Sequence, residues 1–231
     1  MPFLSPAGDV NVLYLGSHGV ELDEVNPENR FTGDWLERVE DLVAEATEQP
    51  KTPLVITATG KFFSNGLDVG VVADLSALPA YIERVHALFA TVLTVPMPTV
   101  AAVNGHAFGA GAMLALCADV RLMRTERGFW SLPEAALGMP FPLGMTTLLR
   151  TRLPDATATE AMFTSRRYGG ADAAAAGIVD AAVDVDELLD RASALGVERA
   201  PLAGPNLAEI KRNLRRPLLD DLSAPYPRAA S

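Results

Sequence analysis

The chain has 231 residues, 49% of them hydrophobic, and its 29 acidic against 19 basic side chains give a net charge of −10. That length predicts one domain, or one with a small appendage, and the apolar content suffices for a large core, which argues against disorder. The acidic balance makes a polyanion such as nucleic acid a poor partner for the surface as a whole, though a few local cations can still hold a phosphorylated small molecule.

Residues 1–6 show no charged segment leading into an apolar run, so no secretory signal is read there. Residues 10–15 and 20–22 read as short strands separated by the turn Gly16-Ser17-His18-Gly19. Asp34 and Glu37 have capping-box spacing, and Leu36, Val39, Leu42, Val43 and Ala46 recur at helical intervals, predicting an amphipathic helix. Residues 54–58 form a β-branched apolar run, hence a buried strand that leaves through Thr59-Gly60-Lys61. A second amphipathic helix carries Ile82, Val85, Leu88, Phe89 and Val92 and stops near Pro96 and Pro98.

Residues 99–103 are another buried strand, which runs through Asn104-Gly105 into the small residues 107–112. The stretch 105–118 is low in polarity but too short and glycine-rich to span a bilayer. Its Cys117 is the only cysteine, so no intramolecular disulfide forms and a reducing, cytoplasmic compartment is expected. Residues 120–123 read as a third short strand. Past Leu153 the pattern is helical, over 156–164, 171–176, 185–195 and 206–214, and residues 228–231 are no recognisable organelle address. Strands alternating with helices predict an α/β body with parallel pairing, and the proline-punctuated helical end predicts a packing or oligomerisation region.

Three segments can carry chemistry. Lys61-Phe62-Phe63-Ser64-Asn65-Gly66-Leu67-Asp68-Val69 takes a strand into a glycine turn able to present main-chain N–H groups, with Asp68 placed to cap a helix; an ordinary strand-to-helix loop is the alternative. Asn104-Gly105-His106-Ala107-Phe108-Gly109-Ala110-Gly111-Ala112-Met113 leads a strand into a helix whose small residues leave its N-terminal amides accessible to negative charge. The alternative there is close helix–strand packing; neither a dinucleotide fingerprint nor a P-loop fits the glycine spacing. Trp130-Ser131-Leu132-Pro133-Glu134 sets one carboxylate among apolar neighbours, where burial suits a general base, or simply an acid in the first turn of a helix.

Other candidates are weaker. His18, His86 and His106 have no metal-ligand spacing, and no nucleophile elbow exists. His106 reads as a turn or packing residue and Cys117 as core. Lys211, Arg212, Arg215 and Arg216 read as a solvated helix face that can meet a phosphate.

Taken together, Phe62-Phe63-Ser64-Asn65-Gly66-Leu67-Asp68, the run from Pro98-Thr99 through Asn104-Gly105-His106-Ala107-Phe108-Gly109-Ala110-Gly111, and Pro133-Glu134 with Leu137-Gly138 resemble three signatures of the enoyl-CoA hydratase/isomerase (crotonase) superfamily. Residues 173–180, ending Ala176-Gly177-Ile178-Val179-Asp180, resemble a fourth, weaker landmark, and the likeness runs in order over residues 10–215. The resemblance implies an α/β fold with a crotonase-like ββα spiral core, residues 1–184. A helical C-terminal region, residues 185–231, is implied to build a homotrimer or dimer of trimers; its shortness for the family leaves the choice open. The implied substrate is an acyl-CoA thioester, with CoA part of the substrate and no further cofactor, metal, nucleic acid or membrane partner.

Carried over by motif, the Leu67 and Ala110 amides would hold the thioester oxygen. Ser64, Asn65, Gly66, Asp68, Gly109 and Met113 would be substrate-binding, with Asn65, Gly66 and Asp68 along the adenine and pantetheine path. The family often has glycine where Ala110 stands, which a main-chain donor tolerates. Hydratases of the superfamily resemble one another in pairing two glutamates. Here the first position is Met113 and the second is Glu134, a pattern similar to the Δ3,Δ2-enoyl-CoA isomerases. Asn65, His106 and the Arg127-Gly128 turn resemble the plant peroxisomal type most.

The implied mechanism moves a proton from C2 to C4 on Glu134 while Met113 excludes water. One oxyanion donor is worth around 3 kcal/mol and an acid–base group about 10²–10⁴-fold. A hydratase using Glu134 alone, a dienoyl-CoA isomerase, a decarboxylase and a non-catalytic acyl-CoA-binding or scaffold protein are the alternatives. Acyl-chain length is expected to depend on residues 76–81 and 141–145.

Overall fold

Alternate side chains of the apolar strands face two separate cores, and the sheet between them organises the molecule. The computed structural model describes residues 1–74 and 76–227; the address reading of residues 228–231 falls outside them. Strands β1 (Phe3–Ala7) and β2 (Val10–Tyr14) form an antiparallel hairpin. The chain continues through α1 (Gly33–Thr47), β3 (Leu54–Thr57), β4 (Phe62–Ser64), α2 (Val69–Val72) and α3 (Leu78–Thr94). Next come β5 (Thr99–Val103), β6 (His106–Phe108), α4 (Ala110–Cys117), β7 (Val120–Arg124), β8 (Trp130–Ser131), α5 (Leu143–Arg152) and α6 (Asp155–Thr164). It ends with α7 (Gly170–Ala175), β9 (Ala181–Val183), α8 (Val185–Arg199), a 3-10 turn (Ala200–Leu202), α9 (Pro205–Leu214) and α10 (Arg216–Ser223).

Six strands form one sheet in the order β1-β2-β3-β5-β7-β9, parallel from β2 onward, and β4-β6-β8 form a second parallel sheet. The pairs β3–β4, β5–β6 and β7–β8 each place one strand in each sheet before a helix follows. The chain therefore winds as a spiral of ββα turns, the α/β architecture that the motif resemblance implied.

Leu54 and Ile56 of β3 enter the larger core with α1, α3 and α4, whereas Val55 joins Val12, Val100 and Leu122 under Leu188 and Ala192 of α8. A sheet covered on both faces needs apolar side chains at every position, which is why its strands read as unbroken runs. α8 thus closes the outer face of the large sheet, and α10 packs on α3 and α5. Within the region 185–231 expected to build an oligomer, α8 packs on this chain's own sheet, α9 on α3, and α10 on α3 and α5. No described helix is long and apolar enough to cross a membrane.

Three local expectations need correction. Residues 20–22 are not a strand: Gly19 and Asp23 on either side adopt φ of 73° and 75°, which breaks an extended run. The cap of α1 is Thr32, whose extended backbone lets its hydroxyl accept the Trp35 N–H at 3.3 Å, while Asp34 lies inside the first turn. Lys211 and Arg215 are not solvated; each is 5% exposed and pairs with Asp119, at 2.5 and 3.0 Å. Positions four apart on one helix share a face, and this face of α9 turns inward. Arg212 and Arg216 remain exposed.

Candidate active site

β4 ends in a turn that requires glycine. Gly66 has φ of +78°, and a Cβ there would stand 2.6 Å from the Phe108 carbonyl and 3.1 Å from the Ala110 nitrogen. The main chain carrying the Leu67 amide is therefore pressed against the start of α4. Ser64, fully buried, holds the turn: its hydroxyl donates to the Asn29 carbonyl at 2.7 Å and accepts the Gly66 N–H at 3.1 Å. Asp68 caps α2 by accepting the Gly70 N–H at 3.0 Å, and its own N–H donates to the Tyr81 hydroxyl at 2.8 Å. Burial pushes that phenol up to about 12, so it stays neutral and donates to the Phe31 carbonyl at 2.8 Å.

Small residues bring the second segment onto the first. A Cβ on Gly111 would stand 2.4 Å from the Ser64 carbonyl, and one on Gly105 would stand 2.1 Å from that of Lys61. Gly109 precedes α4 with φ of 52°, donates its N–H to the Ser131 carbonyl at 3.0 Å and accepts the Met113 N–H at 3.0 Å. Ala110 opens the helix, so its amide is one of the donors that a helix leaves without an internal partner. Among the described residues, neither the Leu67 nor the Ala110 amide donates to a protein acceptor, and both residues line one cleft. Such donors can take up negative charge as it develops.

Glu134 follows β8 in a turn closed by the Leu137 N–H on the Pro133 carbonyl at 3.0 Å and the Met139 N–H on the Glu134 carbonyl at 2.9 Å. The segment is no α-helix, which removes the alternative of an acid in a helical first turn. Glu134 Oε1 lies 3.1 Å from where a Gly109 Cβ would stand, and Oε2 is buried with no hydrogen-bond partner among the described residues. Burial raises the carboxyl to about 7, against the opposing effect of its own main-chain N–H. A group so placed can lose and regain a proton near neutral pH. Ser165 braces the turn, its hydroxyl accepting the Ala136 N–H and its carbonyl accepting the Ser131 hydroxyl, each at 3.1 Å.

The cleft encloses about 490 Å³. Of the residues marked by sequence, Asn65, Leu67, Gly109, Ala110 and Glu134 line it, and Glu134 is the only acidic side chain among the described lining residues. Ser64, Gly66 and Asp68 stand behind the wall as its supports. Met113, expected to meet substrate, is fully buried in the main core with the rest of α4 and is not among the described residues that line the cleft. His106 likewise packs, accepting the Phe129 N–H at 3.2 Å, and burial pushes the Cys117 thiol up to about 12, leaving it no reactive thiolate.

Sequence reasoning missed Arg30 and Tyr226, which line the cleft, and Glu28, which accepts from Asn65 Nδ2 at 3.0 Å and Arg30 Nε at 2.6 Å. The Asn65 and Arg30 bonds hold the Glu28 carboxyl below its ordinary value. The turn-rich string Pro27-Glu28-Asn29-Arg30 was the available signal for the first of these; nothing local marked Tyr226.

The sequence profile of the enoyl-CoA hydratase/isomerase family matches residues 18–225. The peroxisomal enoyl-CoA delta isomerase 2 of Arabidopsis thaliana is 33% identical over 195 residues, 80% of this chain and 78% of its own length. The carnitinyl-CoA dehydratase of Escherichia coli K12 is 39% identical over 163 residues, 68% of this chain and 62% of its own length. Among solved structures, an enoyl-CoA hydratase/isomerase family protein of Pseudomonas syringae superposes with TM-score 0.86 at 24% identity, over 97% of this chain and 94% of its own. An apo enoyl-CoA isomerase of Mycobacterium tuberculosis gives TM-score 0.84 at 23% identity, over 96% of this chain and 93% of its own. At those identities the structural likeness speaks for the fold. With the profile spanning both glycine segments and Glu134, this chain belongs to the enoyl-CoA hydratase/isomerase family.

Proposed function

We propose that the protein is a Δ3,Δ2-enoyl-CoA isomerase, moving a double bond into conjugation with an acyl-CoA thioester. The reading is carried by one observation: Glu134 is the only acid among the described residues of the cleft, with an oxygen buried and unpaired. A shuttle needs one base that keeps the proton it takes; paired activation of water needs two.

In the proposed sequence the thioester oxygen lies between the Leu67 and Ala110 amides, and CoA enters and leaves as part of the substrate. The Glu134 carboxylate takes the C2 proton, and the electrons of that C–H bond pass to the oxygen as a dienolate. The same carboxyl returns its proton to C4; the C2–C3 double bond forms as the old one is lost, and the carbonyl is restored. Each fixed donor contributes around 3 kcal/mol to the charged state in a site shielded from water, and the positioned base a further 10²–10⁴-fold, roughly.

A lyase that adds or removes water is the second reading, favoured by the likeness to a protein named carnitinyl-CoA dehydratase. Incubation with 3-enoyl-CoA and, separately, 2-enoyl-CoA distinguishes them. Conjugated-enoyl absorbance should grow from the first and should not decay in the second; the reverse would overturn the isomerase reading. Glu134→Gln should remove nearly all turnover while CoA-ester binding persists, whereas a non-catalytic binder would show no turnover to lose.

A further inference from the structure

We infer that Tyr226 is a specificity-determining residue that closes the acyl end of the cleft and restricts the enzyme to short- and medium-chain thioesters, an assignment resting on the acyl-CoA reading above. α10 docks against α3 and α5 through Leu218 and Leu222, 1% and 4% exposed, and the Thr147 hydroxyl donates to Asp221 Oδ2 at 2.6 Å. The segment after α10 then turns back along α3, where the Tyr226 N–H donates to Glu83 Oε1 at 3.0 Å. Tyr226 thereby joins Leu78 and Ile82 of α3 and Met145 of α5 in lining the cleft.

These four lining residues are hydrophobic or aromatic, whereas Arg30 and Asn65 supply polar and charged groups elsewhere in the same wall. An acyl tail belongs with the first set and the polar carrier with the second. Ile82 and Met145 are each only 2% exposed and backed by the core, so they cannot retreat from a longer chain without repacking it. Tyr226 is half-buried and lies outside the helices, tied by one main-chain bond to a carboxylate. Tyr226 packs only on the edge of the core, so a change in its size disturbs the packing less than one at Ile82 or Met145.

The test is kcat/KM for 3-hexenoyl-, 3-decenoyl- and 3-hexadecenoyl-CoA with the full chain and Tyr226→Ala, Tyr226→Phe and Glu83→Ala, each checked for a native thermal transition. The wild type should disfavour hexadecenoyl. Tyr226→Ala should raise the hexadecenoyl-to-hexenoyl ratio about tenfold or more, the order expected when an apolar pocket gains or loses room. Tyr226→Phe should keep the wild-type ratio, and Glu83→Ala should move it partway. A parallel change for all three chains, or a wild type indifferent to length, overturns the assignment. If the wild type turns over none of them, the isomerase reading fails separately; the same ratio is then read from calorimetric binding of hexanoyl- and palmitoyl-CoA, where an unchanged ratio in Tyr226→Ala overturns the assignment too.

Discussion

Replacing Glu134 with glutamine keeps the shape of the side chain and removes a buried charge, so the variant should gain stability at alkaline pH while losing turnover. Burial raises this carboxyl from an ordinary 4.5 to about 7. Because the folded-state value is the higher one, the stabilising contribution is complete below the unfolded value and is lost as pH rises through about 7. Linkage puts the cost of holding the ionised group in the fold at about 3 kcal/mol at pH 8 and below about 1 kcal/mol at pH 5. Glutamine is neutral at both, so its advantage over the wild type should grow by about 2 kcal/mol across that interval. For a chain of this size the growth corresponds to about 4–8 °C in Tm, well within reach of calorimetry at matched protein concentration. A Tm difference that stays the same at both pH values would refute the buried, unpaired state assigned to Glu134.

Two further substitutions probe the scaffold. Gly66→Ala forces a Cβ to 2.6 Å from the Phe108 carbonyl in a left-handed conformation, so it should separate the two amides and lower kcat/KM by at least about 10²-fold; wild-type rates in a folded variant would contradict the role given to that contact. Asp119→Ala leaves Lys211 and Arg215 buried without their counter-charge and should cost about 3–5 kcal/mol in a denaturant titration. A loss below about 1 kcal/mol would show that the cations reach water instead.

Legibility in the sequence followed the length and periodicity of each element. The strand read over residues 99–103 matches β5 residue for residue, and the apolar positions of α1 and α3 face the core as their spacing indicated. β4, β6 and β8 have three, three and two residues, too few for a period-2 pattern, and are defined by pairing across the chain. α10 lies beyond the last helix read from the sequence, which ended at residue 214; its Pro217 sits in the first turn, where proline lacks no needed hydrogen bond. The inward face of α9 was hidden because Asp119 lies 96 residues from Arg215. In the candidate site, the glycine turns and the lone carboxylate of Glu134 were legible because short local segments of sequence carry them. The full burial of Met113 and the arrival of Tyr226 depend on helices packing from distant parts of the chain.

The fate of a deuterium label at C2 of a 3-enoyl-CoA tests the single-carboxylate shuttle most directly. If Glu134 carries the proton from one carbon to the other, part of the label will appear at C4 of the conjugated product, and Glu134→Gln will abolish its transfer. If C4 acquires hydrogen only from solvent while C2 loses its deuterium, separate groups or water handle the two carbons, and the shuttle is wrong.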